Sequence, residues 1–259
     1  MKYQLDTTVK QCDRLNQAYA LLRFYPTDGS PLPVGIEPGQ FVQVLIPDSP
    51  STFLRRPISV CMADYQTQEL WLLVRDAGAG THRLVEAKQG EVFNMILPLG
   101  HGFTIPTEPD GRILLVGGGV GVAPLLYLGQ RLKAANAQPE FLLAAKSQGD
   151  LLLVEEFEQH GPVHLATDDG SAGERGFAHQ HSVLQSDISR IACCGPTPMM
   201  RAVAHIAHER GIECEVSLEN MMACGIGACL CCVEDTQRGN TCVCTEGPVF
   251  NINQLKWQI

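Results

Sequence analysis

The chain has 259 residues, a hydrophobic content of 45% and a formal net charge of −9 at pH 7. Its length allows one large domain or two to three small ones with packed cores. The negative charge is not offset by any basic segment, which excludes nucleic acid as the expected partner. No apolar run reaches the length of a membrane span and the first residues carry no targeting pattern, so we expect a cytoplasmic protein without membrane partners.

The first hundred residues predict a small antiparallel β-barrel. Short runs rich in β-branched, aromatic and aliphatic residues occur at 40–46, 57–61 and 70–75, and turn residues such as Pro38-Gly39 separate them. Short strands alternating regularly with turns are typical of an all-β barrel.

Two segments of this barrel have the composition of an anion-binding site. Arg56-Pro57-Ile58-Ser59 places a guanidinium and a hydroxyl around a rigid proline, which suits a phosphate and a planar ring. The segment 75–81 ends in Gly80-Thr81, where small residues leave backbone donors free at the start of a predicted helix. Each segment is weak evidence alone, because arginine beside proline is common on surfaces. Together they indicate two anion-binding positions.

After about residue 102, continuous apolar strands alternate with helices. The predicted strands are 112–116, 141–145, 163–166 and 191–194; the predicted helices end near 135, cover 151–159 and follow residue 195. Buried strands that alternate with helices predict a parallel sheet covered on both faces.

Two turns of this sheet point to a nucleotide site. The first contains Gly117, Gly118, Gly119 and Gly121 between a strand and a helix, so the backbone can approach a pyrophosphate and the helix can supply N–H donors. It is not a strict GxGxxG, and a glycine-rich turn can also be a simple tight connection. The second, Cys194-Gly195-Pro196, ends another strand at the same carboxyl edge. Two such turns on one sheet favour a ligand site.

The cysteine spacing near the C-terminus predicts a metal cluster. Cys224, Cys229 and Cys232 follow the pattern C-x4-C-x2-C, and Cys242 and Cys244 come later. This spacing is the plant-type ligand pattern of a [2Fe–2S] cluster. A zinc site and buried structural thiols are the alternatives, but zinc sites usually repeat C-x2-C and five cysteines are too dense for accidental core packing. The pattern therefore favours a centre that transfers single electrons.

Other cysteines and histidines carry less weight. Cys193 and Cys231 are expected to be packed or uninvolved thiols. The pairs His179/His181 and His205/His208 lack a nearby third ligand, so we expect solvated surface histidines.

In chain order, the barrel with its two anion segments, the glycine turn and Cys194-Gly195-Pro196 resemble the ferredoxin–NADP reductase superfamily. The segment from Ser217-Leu218-Glu219-Asn220 through the cysteines to Gly247-Pro248-Val249-Phe250 is similar to the electron-transfer subunits of class 1B dihydroorotate dehydrogenases. The similarity extends over essentially the whole chain. It implies a multidomain protein: an FAD-binding antiparallel β-barrel at 1–101, an α/β parallel-sheet NAD(P)-binding domain at 102–215 and a small [2Fe–2S] domain at 216–259.

The resemblance also implies roles for individual residues. FAD would be contacted by residues of both barrel segments, namely Arg56, Pro57, Ile58, Ser59, Leu73, Val74, Arg75, Gly80 and Thr81, with Ile58 where the family has tyrosine. The glycine turn and Cys194, Gly195 and Pro196 would frame the nicotinamide pocket, with Thr167 and Asp168 near the nucleotide. The cluster ligands would be Cys224, Cys229, Cys232 and Cys244. The gap before Cys244 is short for the family, so Cys242 stays open.

The implied function is electron transfer between a nicotinamide nucleotide and a partner protein through FAD and the cluster, with no protein acid or base as a catalytic residue. The implied partner is an FMN-containing catalytic subunit that oxidises dihydroorotate to orotate, assembled with this chain in a heterotetramer, with NAD as electron acceptor. Two alternatives remain at this stage. The module could serve a ferredoxin, a hydrogenase-type complex or another flavin dehydrogenase, or the chain could be a zinc-stabilised nucleotide-binding protein.

Overall fold

A computed structural model describes residues 1–49, 51–108 and 111–257. The structure does not describe the other five residues. Two of them, Gln258 and Ile259, belong to the predicted cluster domain, so that part of the prediction lies outside the described residues. The described chain forms a closed six-stranded barrel, a seven-stranded sheet and a two-stranded hairpin. The predicted sequence of an antiparallel barrel, a parallel-sheet domain and a small C-terminal segment is confirmed.

The barrel is antiparallel throughout. Its strands are β1 (Tyr3–Arg14), β2 (Tyr19–Pro26), β3 (Phe41–Val44), β4 (Arg56–Asp64), β5 (Glu69–Arg75) and β6 (Val92–Leu99), with helix α1 (Ala79–Val85) between the last two. They close in the order β1-β2-β5-β4-β3-β6. Alternation along β3 sends Val42 and Val44 into the barrel core, while Phe41 joins a second core outside it.

The α/β part contains six further strands and three helices. They are β7 (Arg112–Gly118), α2 (Ala123–Ala134), β8 (Gln138–Ala145), α3 (Val154–Glu158), β9 (Val163–Thr167), β10 (Glu174–Arg175), β11 (Arg190–Cys194), α4 (Thr197–Glu209) and β12 (Glu213–Ser217). These strands run parallel in the order β10-β9-β8-β7-β11-β12. In this topology the strand ends carrying both predicted nucleotide turns lie at one edge.

The helix predicted at 151–159 is shorter than expected. Leu153 adopts a left-handed conformation with φ of 56°, so regular helix begins only at Val154. Leu152 and Leu153 are both buried. Packing of these side chains into the core thus outweighs the helical preference of the segment.

The C-terminal segment returns to the sheet. It contains the hairpin β13 (Val233–Thr236) and β14 (Gly239–Cys242), helix α5 (Val243–Glu246) and strand β15 (Val249–Asn251). Strand β15 pairs antiparallel with β12, with Phe250 opposite Val216. The predicted boundary between residues 215 and 216 falls inside β12. The cysteine loop is therefore an excursion between two neighbouring strands of the sheet.

Two hydrophobic cores tie the three parts together. One joins the barrel interior to the α2 side of the sheet, and the buried Tyr127 hydroxyl donates to the Ile36 carbonyl oxygen, 2.9 Å away. The other joins the α4 side of the sheet to Phe41, Cys232 and Cys244. None of the helices in the described ranges has the length and hydropathy needed to cross a membrane.

Candidate functional site

The two predicted anion segments of the barrel lie side by side. Arg56, Pro57, Ile58 and Ser59 begin strand β4 and are all half-buried. A β-carbon on Gly80 would lie 3.0 Å from Arg56 Cδ, so the glycine of α1 packs directly on the arginine side chain. The Arg56 guanidinium also donates to the Leu54 carbonyl oxygen, 2.9 Å from Nη2. One corner of the barrel thus places the Arg56 side chain against the first turn of α1.

The remaining barrel residues differ in what they can offer a flavin. Leu73 and Val74 are each 1% exposed and belong to the barrel core, so their side chains serve packing of the barrel. Arg75 is exposed at the end of β5. The Thr81 hydroxyl accepts from Ala77 N (2.9 Å) and donates to the Gly78 oxygen (3.1 Å), which closes the turn before α1.

The two nucleotide turns contact each other. Strands β7 and β11 are neighbours, with Gly117 opposite Cys194. A β-carbon on Gly121 would lie 2.5 Å from the Cys194 carbonyl oxygen and 2.6 Å from Gly195 Cα. Any side chain at residue 121 would force the turns apart. The turns therefore pack backbone against backbone at the carboxyl edge of the sheet, the edge at which open α/β sheets bind ligands.

The other predicted nucleotide residues are less directly engaged. Burial raises the pKa of the Cys194 thiol, so this side chain stays neutral and is not a nucleophile. Thr167 is fully buried, and its hydroxyl donates to the Ala172 oxygen (2.7 Å) and accepts from Ala172 N (3.1 Å). Asp168 is exposed after β9, two strands from β7.

The thiols of the cysteine loop form two hydrogen-bonded pairs. The Cys224 sulfur accepts from Ile226 N (3.5 Å) and Cys229 N (3.4 Å), and the Cys229 sulfur accepts from Cys224 N (3.5 Å). The Cys232 sulfur accepts from Cys244 N, 3.4 Å away. A two-iron cluster takes four cysteine thiolates. Two pairs with backbone donors aimed at their sulfurs fit that requirement.

The electrostatics of the loop favour a thiolate at its first cysteine. Burial opposes ionisation of Cys224, but backbone N–H donors, chiefly those of Ile226 and Cys229, outweigh it and lower its pKa to about 6. Burial raises the pKa of Cys244 to about 12, and a hydrogen bond with Cys232 adds to the rise. Desolvation, followed by the nearby charges of Cys232 and Cys229, raises the pKa of Cys242. Cys242 is thus close to the same thiols.

Within the described residues, no three His, Cys, Asp or Glu side chains converge as ligands of a single ion.

The structure adds two residues to which the sequence analysis assigned no role. Gln43 in β3 is completely buried against Gly225 of the cysteine loop. Part of Glu219 is exposed to solvent, but protein atoms surround its carboxylate. The resulting desolvation raises the pKa of Glu219, and the positive charge of Arg75 opposes this shift. Glu219 also acts electrostatically on Cys194, so its carboxylate lies near both Arg75 and Cys194. A single amide or carboxylate without a motif gives no signal in one sequence.

The expectation of solvated histidines is wrong for His181. Its side chain is buried, and its Nδ1 accepts a hydrogen bond from Val183 N, 3.0 Å away. His205 lies on the exposed face of α4 beside Glu209. Cys193 is fully buried and Cys231 is exposed, as expected for a packed thiol and an uninvolved one.

Comparison with solved structures supports the fold. The NADH-dependent reduced ferredoxin-NADP oxidoreductase superposes with a TM-score of 0.86 at 27% identity, covering 97% of this chain and 90% of that one. The cytochrome b5 reductase domain of Ulva prolifera nitrate reductase gives a TM-score of 0.68 at 18% identity, covering 82% and 94%, and shows the fold alone. Residues 219–256 match the iron–sulfur cluster binding domain of dihydroorotate dehydrogenase B. Fold and matched domain define an iron–sulfur oxidoreductase of the ferredoxin reductase type.

Two relatives narrow the class to a family. The electron transfer subunit of dihydroorotate dehydrogenase B (NAD(+)) from Shouchella clausii (strain KSM-K16) is 38% identical over 255 residues, covering 96% of each chain. The subunit of the same name from Bacillus cereus (strain Q1) is 39% identical over 228 residues, covering 85% of this chain and 86% of that one. The chain belongs to the family of dihydroorotate dehydrogenase B electron transfer subunits. The resemblance noted in the sequence is confirmed.

Proposed function

We propose that this chain carries electrons between a nicotinamide nucleotide and an FMN-containing catalytic subunit that oxidises dihydroorotate to orotate. One observation carries the proposal. Pro57 of the flavin segment lies opposite Gln43 in the β3–β4 pair, and Gln43 packs on Gly225 of the cysteine loop. The segment suited to a flavin is thus part of the β3–β4 strand pair, and the loop suited to a cluster packs against the same pair, which would bring the two cofactors close together for electron transfer.

The barrel corner is the proposed FAD site. Arg56, Pro57, Ile58, Ser59, Leu73, Val74, Arg75, Gly80 and Thr81 would hold the cofactor. The contact between Gly80 and Arg56 brings a guanidinium next to the first turn of α1, where a diphosphate could bind. When bound, FAD exchanges two electrons with nicotinamide and single electrons with an iron–sulfur cluster. The protein orients the ring, and the Ser59 hydroxyl offers it a hydrogen-bonding group.

The paired glycine turns are the proposed NAD(P) site. Gly117, Gly118, Gly119, Gly121, Cys194, Gly195 and Pro196 would frame it, with Thr167 and Asp168 at its margin. The contact between Gly121 and Cys194 supports this role because it holds the two turns together, backbone against backbone, at the carboxyl edge of the sheet. The neutral Cys194 thiol would add an uncharged group to the nicotinamide pocket.

Cys224, Cys229, Cys232 and Cys244 are the proposed ligands of a [2Fe–2S] cluster. The backbone N–H of Cys244 donates to the Cys232 sulfur, which favours Cys244 over Cys242. The division into units at 1–101, 102–215 and 216–259 belongs to the same proposal, with β15 anchoring the last unit to the sheet.

The exposed rim of the cysteine loop is the proposed contact with the catalytic subunit. Met221, Ile226 and Leu230 are 84%, 48% and 64% exposed, which is unusual for three apolar side chains in one short loop. A partner covering them would also shield the cluster from solvent. We propose a heterotetramer of two copies of each subunit, located in the cytoplasm.

Spectroscopy of the purified chain tests this function. The chain, co-expressed with the catalytic subunit of its own organism, should show flavin and iron–sulfur absorption, which NADH bleaches without oxygen. Orotate formation coupled to NAD reduction should require both chains. A chain that stays colourless after anaerobic reconstitution with iron, sulfide and FAD would support the zinc alternative. Reduction of a ferredoxin without any coupling to a dihydroorotate dehydrogenase would favour the module with another partner.

A further inference from the structure

Gln43 is a polar side chain enclosed between the barrel and the cysteine loop. None of its surface is exposed, and neither its amide nitrogen nor its amide oxygen has a hydrogen-bond partner among the residues that the structure describes. Leaving a buried polar group unpaired costs about 1–3 kcal/mol. A buried amide of this kind indicates a partner outside the chain, such as a cofactor or an ordered water.

The amide is directed at the cysteine loop. A β-carbon on Gly225 would lie 2.6 Å from Gln43 Nε2 and 2.7 Å from Gln43 Cγ. Gly225 has a φ of +70° and follows Cys224 directly. Glycine is therefore required both for the turn and for the close approach of the Gln43 amide to the backbone beside a proposed ligand.

Gln40, three residues earlier, shows how this barrel satisfies a structural amide. Its Nε2 donates to the Gly100 carbonyl oxygen (2.9 Å) and its Oε1 accepts from Glu37 N (2.7 Å). The Gln43 backbone is equally well held, since Arg55 Nη1 donates to its carbonyl oxygen at 3.2 Å. Within Gln43 it is therefore the side-chain amide that lacks a hydrogen-bond partner among the described residues. This amide faces the loop.

We propose that the Gln43 side-chain amide donates a hydrogen bond to a sulfur of the [2Fe–2S] cluster on its Cys224 side. This rests on the proposed function, since it requires the loop to hold that cluster. Gln43 is then a positioning residue that tunes the electron transfer. Reduction adds negative charge to the cluster, so an N–H donor stabilises the reduced form more than the oxidised form and raises the reduction potential.

Replacing Gln43 by leucine tests the proposal in the full chain co-expressed with its catalytic subunit. A redox titration followed by electron paramagnetic resonance measures the potential of the cluster. We expect Gln43→Leu to lower it by roughly a tenfold shift in the reduction equilibrium, about 59 mV for one electron. An unchanged potential would overturn the proposal.

Gln40→Leu is the matched control. It makes the same chemical change but breaks two internal hydrogen bonds, so it should lower the melting temperature and leave the potential unchanged. In cluster-free protein, Gln43→Leu breaks no internal hydrogen bond and should not lower the melting temperature. An equal fall in potential in both variants would assign the effect to general perturbation of the barrel and overturn the role of Gln43.

A measurement on the unmodified protein covers the case in which Gln43→Leu does not assemble. With ¹⁵N in the glutamine side chains, pulsed electron paramagnetic resonance of the reduced cluster should detect a coupled glutamine nitrogen. A loaded cluster without that coupling, as expected if water pairs with Gln43, overturns this inference and leaves the proposed function intact. A reconstituted chain with neither iron nor sulfide overturns both.

Discussion

The backbone N–H of Cys244 donates to the sulfur of Cys232, 3.4 Å away. The two cysteines are brought together by the hairpin of β13 and β14, in which Val233 lies opposite Cys242. Both side chains are buried, at 2% and 1% exposure. The hairpin thus closes the second half of the cysteine site, and the first half is a single loop around Cys224 and Cys229.

This pairing predicts different outcomes at the two C-terminal cysteines. Cys244→Ser should abolish the native [2Fe–2S] cluster or reduce iron content several-fold, because its thiol is placed beside Cys232. Cys242→Ser should retain the cluster, because the backbone N–H···S contact with Cys232 is made by Cys244 and not by Cys242. Iron and sulfide analysis, together with visible circular dichroism, measures both.

Cys231→Ser controls for loss of an exposed thiol from the same loop, and it should load normally. Retention of the native cluster in Cys244→Ser, with loss in Cys242→Ser, would reverse the ligand assignment.

Gly121 is a position at which an added side chain would disturb the packing of the two nucleotide turns. Gly121→Ala would place a β-carbon 2.5 Å from the Cys194 carbonyl oxygen, so the turns must separate. We expect stability to fall by about 1–3 kcal/mol, as for other overpacking changes, and KM for the nicotinamide nucleotide to rise by roughly tenfold or more. Flavin content should not change. Steady-state kinetics and thermal unfolding provide the measurements.

Gly149→Ala is the matched control for that change. A β-carbon on Gly149 would meet only Ser147 Oγ, at 3.9 Å, so neither KM nor stability should change appreciably. If Gly121→Ala also left KM unchanged, the packed turns would not be the nucleotide site.

Sequence patterns predicted the elements that rely on local signals. The apolar run 112–116, the glycine turn after it and the helix predicted to end near residue 135 correspond to β7, its turn and α2, with ends that differ by one or two residues. Local pattern failed at Leu153, where long-range packing sets the backbone. It also gave no indication that Phe250 would pair with Val216, because strand pairing across a long loop depends on the tertiary fold.

The candidate site was predictable where it depends on residue type and spacing. Cysteines and glycines have few alternatives in the roles they fill, so Cys224 and Gly121 stand out in one sequence. Gln43 does not, because the chemistry of an amide is ordinary and only its burial against Gly225 is unusual. Thr167 shows the converse: the hydroxyl expected near a nucleotide is occupied by Ala172.

An ion pair at the opposite edge of the sheet predicts a pH-dependent stability. Arg112 Nε lies 2.6 Å from Glu140 Oε1, and His164 Nε2 lies 3.1 Å from Glu140 Oε2. The Arg112 hydrogen bonds hold the pKa of Glu140 below its usual value despite partial burial. Because the folded pKa is depressed, the stabilisation is complete above the unfolded pKa of about 4.3. It is lost as the pH falls through the folded value.

Glu140→Gln should therefore be less stable than the unmodified chain by about 1–2 kcal/mol at pH 7. The difference should shrink as the pH falls below about 4. Glu213→Gln removes a more exposed pair with Arg190 and should cost less than about 1 kcal/mol. Chemical unfolding across this pH range measures both, and a deficit for Glu140→Gln that is independent of pH would contradict the linkage.

Leu230 tests whether the cysteine loop is the contact with the catalytic subunit. Its side chain is 64% exposed, so Leu230→Ser should leave folding and cluster content unchanged. A contact buried by the partner would lose about 1–3 kcal/mol on this change, equivalent to an association weaker by about 5- to 150-fold. Leu15→Ser makes the same replacement at a side chain 37% exposed in the β1–β2 turn and should not affect association. Analytical ultracentrifugation of the two chains measures the affinity. Equal association in both variants would show that the partner docks elsewhere, and the cluster would then need another route to the catalytic subunit.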